Sequence, residues 1–191
     1  MKKTKERIYI SKEDLDEQHN IARHWRHIER YIAVRANVYG NVLDLACGVG
    51  YGSHILSTNP DVKSVYGVDL AEDAIEFANK EYTSDKVSFY SNVYDIKECI
   101  DVLVSIETIE HVKDTSMLPS IAASLNIKEI IMSFPHIKST HFNPYHFHNF
   151  NTQKIKDLFY QWTLIDENKF HHDVTLLHFI ANPKYWNGKL K

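Results

Sequence analysis

Short apolar runs of β-branched and aromatic residues alternate with longer amphipathic stretches along this chain. The run Val42-Leu43-Asp44-Leu45 ends in a glycine-dense turn, and Val65-Tyr66-Gly67-Val68-Asp69 follows as a second buried strand. Further strands are predicted at Val87–Tyr90, Ile100–Ser105 and Glu129–Ser133, with a weaker one over 162–170. Val174–Ala181 closes the series as an antiparallel strand. Helical spacing is present over 13–39, with Ile21, Trp25, Ile28, Ile32 and Val34 as its apolar positions and Gly40 and Asn41 as its stop. Other helices are expected near 51–58, 71–80, 117–125 and 152–161. Glu72 and Asp73 suit the first turn of the second of these, and Thr152 is the expected cap of the last. Strands alternating with helices imply an α/β domain with a doubly wound, mostly parallel seven-stranded sheet and one antiparallel strand.

The turn after the first strand carries the chemistry. Ala46-Cys47-Gly48-Val49-Gly50-Tyr51-Gly52 places alternating glycines where a helix begins, so a ligand can lie against backbone with no Cβ in the way. Asp69, at the end of the second strand, is placed to accept hydrogen bonds from both hydroxyls of a ribose. A dinucleotide site would want G-x-G-x-x-G facing a pyrophosphate, but Ser53 fills the slot of the third glycine. Asp44, four residues before Gly48, would repel a pyrophosphate. A carboxylate there suits a ligand bearing an amino group and a sulfonium, which describes S-adenosylmethionine.

On these residues the sequence resembles the class I S-adenosylmethionine-dependent methyltransferases, whose fold is Rossmann-like. It is most similar to small bacterial members associated with polysaccharide and glycan pathways. The supporting elements are His19-Asn20-Ile21-Ala22-Arg23, the loop Ala46–Ser53, Glu107-Thr108-Ile109-Glu110-His111 and Asn143-Pro144-Tyr145-His146. The resemblance implies Asp44 for the cofactor's amino group, the backbones of Ala46, Gly48, Gly50 and Tyr51 for the methionine chain, and Asp69 for the ribose. Leu70 would pack on the adenine, Asn92 and Val93 would meet its edge, and Ser105 and Ile106 would contribute backbone. Arg23 would pair with the carboxylate, from a helical cap over 13–39. The glycine pair usual before strand five is replaced by Leu125-Asn126-Ile127-Lys128, where Asn126 is expected to make the turn.

Methyl transfer rests on positioning and exclusion of water, but a hydroxyl acceptor must also lose a proton. A histidine is the natural base. His111 is the first candidate, with His146 and His148 as alternatives and Glu107 and Glu110 beside it. Glu107, Glu110 and His111 also offer oxygen and nitrogen donors to a divalent ion, completed by His146 or His148. The same Glu–His pair is widespread in methyltransferases that use no metal, so the sequence alone assigns none. The irregular stretch 134–151, rich in Phe, Tyr and His, is expected to be an ordered substrate-side loop. His24, His27, His171 and His172 read as surface residues; Trp25, Trp162 and Trp186 read as packing.

Composition narrows the partners. The 191 residues suit one domain, with residues 1–12 as a solvated tail. Lys and Arg number 22 against 25 Asp and Glu, and the net charge of −3 makes nucleic acid an unlikely partner. Cys47 and Cys99 are too few and too ill-placed for a disulfide framework, which fits a reducing, cytoplasmic setting. No run is long enough for a membrane helix. The expected activity is S-adenosylmethionine-dependent methylation of a hydroxyl on a small acceptor, a sugar or glycan precursor. The alternatives are a metal-assisted RNA 2′-O-methyltransferase and a non-catalytic S-adenosylmethionine-binding regulator.

Overall fold

The computed structural model describes residues 8–16, 18–170 and 172–186, with side chains omitted at 16 and 18–23. The basic start of the chain and His171 therefore lie outside the described residues, as do the side chains of His19 and Arg23. Seven strands form one sheet in the order β3-β2-β1-β4-β5-β7-β6. They are β1 (Gly40–Leu45), β2 (Val62–Val68), β3 (Val87–Tyr90), β4 (Val102–Ile106), β5 (Glu129–Pro135), β6 (Trp162–Phe170) and β7 (Val174–Ala181). The chain divides into two compact units, Met1–Cys99 and Ile100–Lys191.

In the first unit, β1 pairs in parallel with β2 and β2 with β3. The interior of β1 and β2 is fully apolar at Val42, Leu43 and Val65 and carries one acid, Asp44. The helices are α1 (Lys12–Asp16), α2 (Gln18–Arg35), α3 (Tyr51–Ser57) and α4 (Glu72–Tyr82). The expected single helix over 13–39 is thus two helices, and the second ends at Arg35. Gly40 and Asn41 do not stop it; they open β1. The buried face of α2 is Ile28, Tyr31 and Val34, while Trp25 and Ile32 are exposed. An i, i+3 spacing through Tyr31 wins over the Trp25–Ile32 stripe, and the ring of Tyr31 packs where a Cβ on Gly52 would stand. His27 is also no plain surface residue. Burial, then the nearby Arg30, lowers its pKa to about 4.

In the second unit, β4 and β5 are parallel, and β7 is antiparallel to both β5 and β6. Its helices are α5 (Met117–Ser124), α6 (Thr152–Leu158) and α7 (Pro183–Trp186). Phe134, Phe159, Trp162 and Phe179 are buried with Trp186 in an aromatic core. Asn126 takes a positive φ of 56° and makes the expected turn before β5. Two details differ from expectation. Helix α6 stops at Leu158, and its cap is Asn151, whose side chain accepts from the Lys154 N–H at 2.9 Å. The Thr152 hydroxyl instead donates to Glu167. Strand β5 runs on to Pro135, so the irregular loop begins at residue 136.

Candidate functional site

The glycine turn follows β1 directly. Ala46, the first residue after the strand, has φ 64°, in the left-handed region that L-residues avoid. Gly48 (φ 58°) and Gly50 (φ 92°) continue the reversal, and Gly50 caps α3. A Cβ at Gly48 would meet nothing within 4 Å, so the turn presents open space there. The Asp69 carboxylate reaches back from the end of β2 and accepts from the Gly48 N–H at 3.0 Å and the Ala71 N–H at 2.9 Å. Asp69 is partly exposed, and the neighbouring Leu70 leaves 83% of its side chain in solvent. An exposed leucine beside an acid and an open glycine turn fits the adenosine of S-adenosylmethionine, with ring on apolar surface and ribose on carboxylate.

Asp44 is placed differently. It is fully buried, and its oxygens accept from the Ser53 hydroxyl at 2.6 Å and the Tyr31 hydroxyl at 3.3 Å. Tyr31 also meets Tyr51 edge to face at 5.6 Å. Burial raises the Asp44 pKa to about 7, opposed by the two hydroxyl donors and reinforced by the charge of Asp69. Tyr31 and Ser53 were not singled out as functional from sequence. The serine was legible as the missing third glycine, but the tyrosine carried no signal beyond helical spacing.

This shift gives a pH-dependence of unusual sign. The folded pKa lies above the unfolded one, so between about pH 4 and 7 the unfolded chain releases a proton that the folded chain keeps. Stability is therefore lost as pH rises through that window, by at most about 1.4 kcal/mol per pH unit. Asp44→Asn is expected to remove this slope in thermal melts from pH 4 to 7.5. A melting-temperature difference between variant and wild type that stays flat across the window would show that Asp44 titrates as an ordinary carboxyl.

The remaining cofactor-side expectations fall as follows. Asn92 is exposed, and its side chain already accepts from the Tyr94 N–H, capping a 3₁₀ turn at Val93–Asp95. Val93 is buried. In the second unit, Ser105 and Ile106 are buried at the end of β4 and paired with Met132 and Ser133.

Beyond β4 in that unit, Glu107 takes φ 50° and a 3₁₀ turn forms at Ile109–His111. The Ser133 hydroxyl donates to Glu107 Oε1 at 2.8 Å, which ties the glutamate to β5. Glu110 is 1% exposed, and its Oε1 lies 3.8 Å from His111 Nε2. The rings of His111 and His146 meet edge to face at 4.6 Å. Glu110, His111 and His146 bring donor atoms within 4.8 Å of one another. Glu107 is not in this group. Nor is His148, whose Nε2 faces the Lys113 carbonyl at 3.1 Å.

The loop 136–151 is strapped to the 3₁₀ turn. The Phe147 N–H donates to the Glu110 carbonyl at 2.8 Å, His111 Nδ1 meets the Tyr145 carbonyl at 3.1 Å, and Lys113 Nζ lies 5.5 Å from the Phe147 ring centroid. Phe142, Tyr145 and Phe147 remain exposed on it. Ser139, unmarked in the sequence, is buried and holds His146 Nδ1 at 2.6 Å. A surface cavity of about 370 Å³ between Gln153, Tyr160 and Leu164 includes none of the expected site residues.

Comparison with known proteins identifies the family and the fold. A family model described as a methyltransferase domain matches residues 37–174. Among solved structures, magnesium protoporphyrin IX methyltransferase from Synechocystis with bound S-adenosylhomocysteine is 16% identical. It aligns over 94% of this chain and 90% of its own at TM-score 0.66. The N-methyltransferase NodS of Bradyrhizobium japonicum, also with S-adenosylhomocysteine, is 15% identical over 87% and 89% at TM-score 0.63. Protein PH0226 of Pyrococcus horikoshii is 20% identical over 88% and 94% at TM-score 0.65. No curated protein matches the sequence.

Proposed function

Because the chain belongs to the methyltransferase-domain family, with S-adenosylmethionine as its cofactor, we propose that it methylates a hydroxyl of a small, sugar-like acceptor. The observation that carries this reading is the Glu110–His111–His146 cluster, in which the aromatic loop is hydrogen-bonded to the 3₁₀ turn. When bound, S-adenosylmethionine supplies a methyl group already activated by its sulfonium. On this reading Asp69 holds the ribose, Leu70 covers the adenine, and the turn from Ala46 to Tyr51 lines the methionine chain. Ser105 and Ile106 add backbone, Asn92 and Val93 border the base, and Arg23 meets the carboxylate. Asp44 acts through Tyr31 and Ser53, not by direct contact, because no part of it is exposed.

The proton is handled in the second unit. A carbonyl cannot donate, so the contact with Tyr145 places a hydrogen on His111 Nδ1 and a lone pair on Nε2 of the neutral ring. That nitrogen can accept a hydroxyl proton, and the buried Glu110 carboxylate beside it stabilises the imidazolium that results. The exposed rings of Phe142, Tyr145 and Phe147 suit stacking against the apolar face of a sugar. No helix among the described residues is long and apolar enough to cross a membrane. Cys47 and Cys99 are both free thiols.

The test is a screen of sugars and sugar nucleotides with labelled S-adenosylmethionine, reading O-methyl products by mass. Wild type is expected to turn over at least one. His111→Gln is expected to lose about 100-fold or more in kcat with little change in the KM for cofactor. Methylation confined to amines, or an undiminished His111→Gln, would overturn the hydroxyl reading.

A further inference from the structure

We propose that Asp44, cradled by the Tyr31 and Ser53 hydroxyls, makes the cofactor site specific for the positively charged form of its ligand. It favours the sulfonium of S-adenosylmethionine over the neutral thioether of S-adenosylhomocysteine, and so separates the methyl donor from its product. The inference rests on the reading that the cofactor lies against the glycine turn from Ala46 to Tyr51.

The cradle suits a carboxyl that can hold either charge state. Asp44 is fully buried and stands two residues before Ala46, whose positive φ opens the turn. A carboxylate at that depth is usually paired with a cation, yet no Lys, Arg or His among the described residues bonds to it. Its partners are hydroxyls, Ser53 at 2.6 Å on one oxygen and Tyr31 at 3.3 Å on the other. Backbone N–H groups can only donate, and would favour the ionised form alone. A hydroxyl both donates and accepts. The same pair therefore satisfies the carboxylate and, after one O–H rotates, the neutral acid.

The neighbouring groups leave the balance open to the ligand. Around Asp44 stand Tyr31 of α2, Tyr51 and Ser53 of α3, Cys47 of the turn and Asp69 after β2. Burial pushes the Tyr31 and Tyr51 hydroxyls and the Cys47 thiol up, so all three are neutral near pH 7; the Arg30 charge bears on Tyr51. Burial, opposed by the two hydroxyl donors and reinforced by Asp69, leaves the Asp44 carboxyl at about 7, where one added charge tips it. A cation on the turn favours the carboxylate and expels the proton, and low-dielectric surroundings let that charge act without contact. The two ligands share an ammonium and a carboxylate, so they differ by the one charge at sulfur. Methyl transfer removes that charge, and Asp44 regains a proton from solvent as the product becomes the weaker ligand.

The test uses the full chain and reads binding, not turnover. S-adenosylmethionine and S-adenosylhomocysteine are titrated by calorimetry from about pH 5.5 to 7.5, in two buffers of different ionisation enthalpy. The ratio of their affinities, donor over product, is expected to rise about 5–10-fold across that range, with more protons released for the donor. Asp44→Asn, neutral throughout, should show a flat ratio. Tyr31→Phe keeps the ring beside Gly52 but removes one donor to the ionised form. It should move the rise to higher pH by about half a unit or more. A role in packing alone would lower stability without moving that profile. Circular dichroism checks that each variant is folded. A flat ratio in wild type, a rise retained in Asp44→Asn, or an unmoved profile in Tyr31→Phe would overturn the inference and leave cofactor binding intact. Binding of neither ligand by wild type would overturn both the inference and the cofactor's placement on the turn.

Discussion

Asp69→Ala is expected to weaken S-adenosylhomocysteine binding by at least about 100-fold in calorimetry. A carboxylate that accepts from both ribose hydroxyls makes two charge-assisted hydrogen bonds, each contributing about 1.5–3 kcal/mol. Their joint loss is about 3 kcal/mol or more, at about 1.4 kcal/mol per tenfold. The same carboxylate also accepts from the N–H groups of Gly48 and Ala71, so it shapes the glycine turn in addition to its proposed ribose contact. Asp69→Asn separates the two roles, because the amide keeps one acceptor oxygen and the side chain's volume. It should bind with intermediate affinity and melt close to wild type. Binding by Asp69→Ala within about threefold of wild type would remove Asp69 from the ribose and undo the assignment of the cofactor half.

Gly52→Ala should destabilise the fold by about 3 kcal/mol, lowering the melting temperature by roughly 6–12 °C. A Cβ there would stand 2.1 Å from Tyr31 Cζ and within 2.5 Å of both Cε atoms. The ring cannot simply swing aside, because Tyr31 is 4% exposed and its hydroxyl is bonded to the buried Asp44. Relief requires α2 to shift or the hydrogen bond to break, and either leaves a buried carboxyl with one hydroxyl donor fewer. The cause can be isolated with a second change. Tyr31→Ala alone leaves a cavity, but combined with Gly52→Ala the methyl no longer meets a ring. The double variant should lose distinctly less stability than the two single losses added. Simple additivity would show that the cost of the alanine arises elsewhere.

Much of this was accessible before any fold was known. Alternating strands and helices led to the α/β class, and the strand–glycine–helix passage with Asp44 and Asp69 led to the cofactor. Both are local signals, carried by backbone conformation and by the chemistry of neighbouring residues. Boundaries were less legible. Gly40 and Asn41 look like helix stops, and Thr152 looks like a cap, because turn and cap residues share the same short polar side chains.

Tertiary contacts decided the rest. Trp25 and Ile32 complete a plausible helical stripe, yet Tyr31 is the buried residue, its ring lying against Gly52 where no Cβ stands in the way. The E-x-x-E-H segment cannot say which of its acids stays with the histidine. Glu107 accepts from the Ser133 hydroxyl of β5, and Glu110 is the acid grouped with the histidines. His146 joins the cluster and His148 does not, although only Phe147 separates them, because His148 Nε2 meets the Lys113 carbonyl instead. The order of residues settled the fold class and the cofactor, since those depend on short-range pattern. Which side chains meet, and in what protonation state, depends on groups far apart in the chain and on the burial they share, and only the folded structure supplies that.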